Sequence, residues 1–154
     1  MGIFYLNAPK SKILQGKGAE QLFKETILKN NFEYRDSTKK EDIYKHTDCY
    51  VKFHQKWRSI DVKSLKKIRG EFQDEKFFIE IKNDYGYPGW LYSNHVQFIA
   101  FQTFNGFELY KTKKLRRYFE ENKKSLQSTS KKGSPAELFL LERKCLKNLI
   151  YKNI

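Results

Sequence analysis

With 31 lysines and arginines against 18 aspartates and glutamates, this 154-residue chain carries a formal charge of +13. That excess argues for a polyanionic partner, nucleic acid first, over a neutral small molecule, although a solvated lysine-rich surface gives the same count. The length suits one domain with its own core, 13 phenylalanines and 10 tyrosines are not the composition of a disordered basic tail, and no apolar run is long enough to span a bilayer.

In chain order, Ile13, Leu14, Leu22, Phe23, Ile27 and Leu28 recur at helical intervals and predict a helix within residues 13 to 30. The Gly16-Lys17-Gly18 interruption puts its regular part from about Gly18, with Glu20 in the first turn, where a carboxylate suits the helix dipole. Phe32 to Arg35 reads as a short strand, followed by a charged connection through Lys39 to Asp42. Two β-prone runs come next, Asp48 to Phe53 and Trp57 to Lys63, joined by a turn at His54, Gln55 and Lys56. Ser64 to Glu75 is polar and basic around Gly70.

Lys76 to Lys82 is a clear amphipathic strand, with Phe77, Ile79 and Ile81 on one face and Phe78, Glu80 and Lys82 on the other. It runs into a Gly/Pro loop, Asn83 to Trp90. Val96 to Phe101 and Phe107 to Tyr110 form a hairpin around Asn105-Gly106, and Thr112 to Lys123 a helix with Leu115, Tyr118 and Phe119 on one side. The tail admits two readings: a helix capped by Ser134-Pro135-Ala136-Glu137, or a strand at Leu138 to Leu141 followed by a helix from Glu142. The sum is one α/β domain with a mixed sheet and a few helices.

Cys49 and Cys145 lie far apart and no secretory segment opens the chain, so a reduced, cytoplasmic setting is expected. Met1-Gly2 resembles a myristoylation start, but Leu6 stands where Ser or Thr is needed. His46, Cys49 and His54 match no zinc spacing, and Gly16-Lys17-Gly18 is not a phosphate-binding loop.

The chemistry concentrates in carboxylates. Asp48 precedes Asp61-Val62-Lys63 by thirteen positions, and strand alternation projects Asp61 and Lys63 together. If the two runs pair antiparallel, Asp48 approaches Asp61, and the pair can share Mg2+, or Mn2+ in its place, because Mg2+ takes oxygen ligands and needs only one or two protein carboxylates. Lys63 then stands beside the ion to hold or polarise a water, and Glu20 can join from the first helix. A rival uses Asp61 with Glu80-Ile81-Lys82, nineteen positions on; its bland counterpart is the solvent face of a strand. Lys66, Lys67 and Arg69, with Lys113, Lys114, Arg116 and Arg117 as a second group, are candidate phosphate contacts, and Trp90 either stacks on a base or plugs a core edge.

The order of a helix with Glu20, then Asp48, then Asp61-Val62-Lys63 resembles the PD-(D/E)xK nuclease superfamily, including its archaeal Holliday-junction resolvases. It is more closely similar to small phage and bacterial members with blocks like Ile60 to Lys66, Phe78 to Asn83 and Gly86 to Tyr92; the likeness spans roughly residues 18 to 112. The resemblance implies a restriction-endonuclease-like mixed β-sheet flanked by helices and a magnesium-dependent DNA endonuclease. Glu20, Asp48 and Asp61 would be metal ligands and Lys63 would act on the water. It also implies a homodimer, since two symmetric cuts need two sites. Thr47 replaces the usual proline, and Asp61 the commoner glutamate. The alternative is a catalytically inactive nuclease-like module that binds nucleic acid or a protein.

Overall fold

The computed structural model describes residues 16–130 and 132–154. The expectations placed on Met1, Gly2, Leu6, Ile13 and Leu14 lie outside the described residues. A six-stranded mixed sheet organises the chain. Its elements are β1 (Tyr34–Asp36), β2 (Cys49–Phe53), β3 (Lys56–Lys63), β7 (Phe98–Thr103), β8 (Gly106–Lys111) and β11 (Ile150–Asn153), in that spatial order. All neighbours are antiparallel except β3 and β7, which run parallel with Asp61 opposite Ile99 and Lys63 opposite Phe101. A parallel pair needs a long crossover. Here it carries the β4–β5 hairpin (Lys66–Ile68, Glu71–Gln73) and β6 (Lys76–Lys82), which pairs with β10 (Glu137–Glu142) and through it with β9 (Gln127–Ser128) in a second sheet.

Both faces of the large sheet are covered, which is why every residue of β7 is buried. On one face α1 (Gly16–Lys29) lays Ala19, Phe23 and Ile27 on Val51, Ile60, Val62, Phe98 and Ala100. On the other, β6, β10 and α3 (Thr112–Asn122) bring Phe77, Ile79, Leu141, Leu115 and Phe119 against Ile99, Phe101 and Tyr110. Phe77 stacks on Phe101 at 4.1 Å between centroids.

Several expectations shift in detail. Within the described residues the first helix already includes Gly16, ahead of Gly18, and Glu20 falls past its first turn. The charged connection after β1 contains a helix, α2 (Lys39–Lys45), held by a capping box between Thr38 and Glu41; the Tyr50 hydroxyl also donates to Glu41. Asn105-Gly106 does mark a hairpin, with Phe104 and Asn105 in the turn and Gly106 opening β8. Gly106 has φ +138, and a Cβ there would meet Ile154 O at 2.2 Å, so both backbone and packing demand glycine. The tail resolves as the strand: β10 replaces the helix that the Ser134 motif suggested, and the segment from Arg143 to Leu149 is a 3-10 helix.

Arg143 ties the layers together. Its guanidinium donates to both oxygens of Glu108, a buried carboxylate on β8, and to Asp74 beside β5, and the Tyr110 hydroxyl donates to the same Glu108. Removing the cation strands a buried charge. Arg143→Ala is therefore expected to cost about 3 kcal/mol of stability in urea unfolding, the low end for a broken buried pair because the guanidinium is partly exposed.

Candidate active site

The site grows from a place where two strands part. β2 and β3 pair from Phe53 and Lys56 to Cys49 and Ile60, and the Asp48 N–H still donates to Ile60 O at 2.9 Å. Beyond that point β3 continues to Lys63 without β2. The next outward N–H, that of Val62, donates to Asp48 Oδ2 at 2.7 Å. A side-chain carboxylate thus takes the place of a strand's backbone acceptor. The hairpin that sets this register turns on His54 and Gln55, both left-handed at φ 49 and 69, as a tight turn between twisted strands requires.

Alternation then sorts the side chains. Ile60 and Val62 face α1, while Asp61 and Lys63 share the face of Ile99 and Phe101. Asp61 is 3 % exposed, and its Oδ2 lies 3.0 Å from Lys63 Nζ without a well-directed hydrogen bond. Lys63 is held on its other side by the Trp90 ring, 4.8 Å from the centroid.

Asp48 is electrostatically crowded. Burial is the largest cause that pushes its carboxyl up, to about 10, and the charge of Asp61 is next; Glu20 and a hydrogen bond with Asp42 push the same way, while the Val62 N–H opposes them. Asp48 therefore interacts with three further acidic side chains, Asp61 on β3, Glu20 on α1 and Asp42 on α2, a set of four. Sequence reasoning named three and missed Asp42, because α2 was read as a connection; a Thr38-Lys39-Lys40-Glu41 capping motif was the available signal. Among the described residues no three His, Cys, Asp or Glu side chains make a ready metal cage. The donor chemistry nevertheless fits Mg2+ or Mn2+: hard oxygens, two central carboxylates, one of them carrying a buried oxygen without a hydrogen bond.

The residues of the rival triplet are divided between two surroundings. Lys82 is exposed and pairs with Glu137 across the strand at 3.4 Å, whereas Glu80 turns to a cavity of about 440 Å3 that Lys63, Lys66, His46 and Trp90 also line. Trp90 is 5 % exposed, with its edge on Phe101, so it is the core plug and not an open stacking platform. The same loop instead exposes Tyr85 and Tyr87. Gly89 makes this packing feasible: a Cβ there would sit 2.4 Å from Glu80 O. Lys66, Lys67 and Arg69 are exposed on the β4–β5 hairpin, Arg69 in its left-handed turn. The second basic group is divided, because Arg116 donates to the carbonyls of Leu91 and Ser93 and Arg117 pairs with Glu121, leaving Lys113 and Lys114 exposed.

Compared with known proteins, the chain matches no family model, no curated protein and no solved structure.

Two outcomes are expected from this geometry. Folding raises the Asp48 pKa from 3.8 to about 10, so the folded protein holds this proton more tightly than the unfolded chain, and metal-free stability declines as pH rises from about 4 towards 10. Asp48→Asn is expected to raise the melting temperature in chelator at pH 8 by several degrees, at roughly 2–4 °C per kcal/mol, and to flatten that decline. Gly89→Ala should push the Trp90 segment off β6, seen as a red shift and increased quenching of tryptophan fluorescence.

Proposed function

We propose that this protein is a divalent-metal-dependent DNA endonuclease of the PD-(D/E)xK type. The observation that carries the reading is the convergence of Asp48 and Asp61, with Glu20 near, on one side of a lysine that the same strand delivers. In this reading Asp48 and Asp61 hold Mg2+, Glu20 and Asp42 adjust the charge around it, and Lys63 holds the attacking water or a phosphate oxygen. The ion, when bound, supplies charge neutralisation at the phosphate and a more acidic water. The chain's own residues do the rest. Trp90 and Asp61 fix the Lys63 ammonium from two sides, and the buried strand β7 keeps β3 rigid beneath it. Water attacks phosphorus, the bond to one ester oxygen breaks, and that oxygen leaves with a proton.

DNA as the substrate is supported by the +13 charge, by the exposed cations of the β4–β5 hairpin beside Lys63, and by the exposed Tyr85 and Tyr87 rings. Among the described residues no helix is long and apolar enough to cross a membrane. The reading includes a reduced, cytoplasmic setting and a homodimer when two strands are cut. An inactive binding module of the same fold would keep the basic surface and lose only the chemistry.

Incubation with supercoiled, linear, branched and single-stranded DNA in Mg2+ or Mn2+ separates these. Cleavage is expected with wild type, absent in Asp61→Asn, and reduced on the order of 10²–10⁴-fold in Lys63→Ala, while gel-shift affinity persists in both and falls with salt. No cleavage of any substrate with either ion, or undiminished cutting by Asp61→Asn, defeats the enzymatic reading.

A further inference from the structure

Building on the nuclease reading of Asp48, Asp61 and Lys63, we propose that the cavity beside Lys63 is a subsite for one unpaired deoxynucleotide of the substrate strand. Strand ends, single strands and extruded nucleotides are then the preferred substrates over intact duplex. The cavity holds about 440 Å3, within the range of roughly 300–1,000 Å3 typical of small-molecule sites. It opens between β3, the β4–β5 hairpin and β6, and Lys63 belongs both to its wall and to the carboxylate centre.

Its lining has two characters. Lys63, Lys66 and Lys76 supply positive charge against the single carboxylate of Glu80, and the margins of the buried Trp90, Phe77 and Phe101 rings close it with an apolar floor. That combination suits a phosphate joined to a base better than either alone.

Gln102 supplies an independent observation. Its side chain borders the cavity at 1 % residue exposure; Oε1 accepts the Leu65 N–H at 3.2 Å, but Nε2 has no partner. A buried amide donor left open is expensive unless something supplies an acceptor, and a base carbonyl or a phosphate oxygen does so. Lys66 points the same way. It takes part in no salt bridge among the described residues, and it shares the cavity wall with Lys63, whose charge repels its own. An anion between the two lysines relieves that crowding.

Size then selects the substrate. A base stacked inside a duplex cannot occupy this cavity without leaving the stack, and extrusion is least costly for a strand end, a mismatch or a single strand.

The test uses the full chain carrying Trp57→Phe, which leaves Trp90 as the only tryptophan, titrated in chelator with thymidine 5′-monophosphate, thymidine and inorganic phosphate. The monophosphate is expected to change Trp90 fluorescence saturably and to bind at least about tenfold more tightly than either fragment. Lys66→Gln, at an exposed position, and Gln102→Glu, which keeps the acceptor for Leu65, should each weaken it about tenfold. No saturable response, equal binding of phosphate alone, or indifference to both substitutions overturns the subsite. Parallel cleavage assays keep the two readings apart. Nucleotide binding without cleavage of any DNA removes the nuclease and leaves the subsite. Cleavage at equal rates on blunt duplex and single strands, with no monophosphate binding, does the reverse.

Discussion

Everything at the candidate site depends on one substitution in a hydrogen-bond ladder: the Asp48 carboxylate stands in for the backbone acceptor that β2 no longer supplies to Val62. A sheet edge left open at that point would expose an N–H to solvent and allow the strands to re-pair in another register. Closing it with a carboxylate fixes where β2 ends and turns an acidic group towards Asp61. Burial then makes the arrangement electrostatically tense, since desolvation and the Asp61 charge both favour a protonated Asp48. A proton can relieve that tension, and so can a divalent cation. The same geometry that terminates the strand pairing therefore sets two carboxylates where a positive charge would relieve their repulsion.

The opposite side of β3 explains why the tension is tolerated. β7 is buried along its whole length between α1 and the second sheet, and it runs parallel to β3 with Ile99 and Phe101 beside Asp61 and Lys63. A parallel neighbour requires the 64–97 crossover, and that crossover returns the Gly89-Trp90 segment under Lys63. Thus the lysine is positioned by topology as much as by its own strand. Sequence separation hides this: Lys63 and Trp90 are far apart in the chain and meet only because β6 and its loop pack back on the sheet.

What could be read from the residues alone was the part governed by local periodicity. The amphipathic β6 and the spacing of Leu115 and Phe119 reappear because each has one buried face to satisfy, while Trp57 to Lys63 forms the expected strand but is buried on both faces from Ser59 to Val62. The misreadings came where one local motif serves two outcomes. Thr38-Lys39-Lys40-Glu41 and Ser134-Pro135-Ala136-Glu137 share a capping pattern, yet the first caps α2 and the second precedes a strand. The difference is tertiary. Leu138 to Leu141 have the open edge of β6 to pair with, whereas Lys39 to Lys45 have no strand partner and settle into a surface helix.

The choice between Asp48 and Glu80 as partner of Asp61 illustrates the same limit at the level of chemistry. Spacing treats the two acid-x-lysine triplets alike, and the more amphipathic strand carries Glu80 and Lys82. Register distinguishes their lysines: Glu137 stands opposite Lys82 and pairs with it at the surface, whereas Lys63 lies 3.0 Å from Asp61. Glu80 faces the cavity with Lys66. Its charge there moderates the cluster of lysines without cancelling it, so on the proposed reading the cavity would take the anion and the carboxylates next to it the cation. Opposite ionic preferences on adjoining walls, linked through Lys63, are what a phosphodiester and a metal ion need in order to meet.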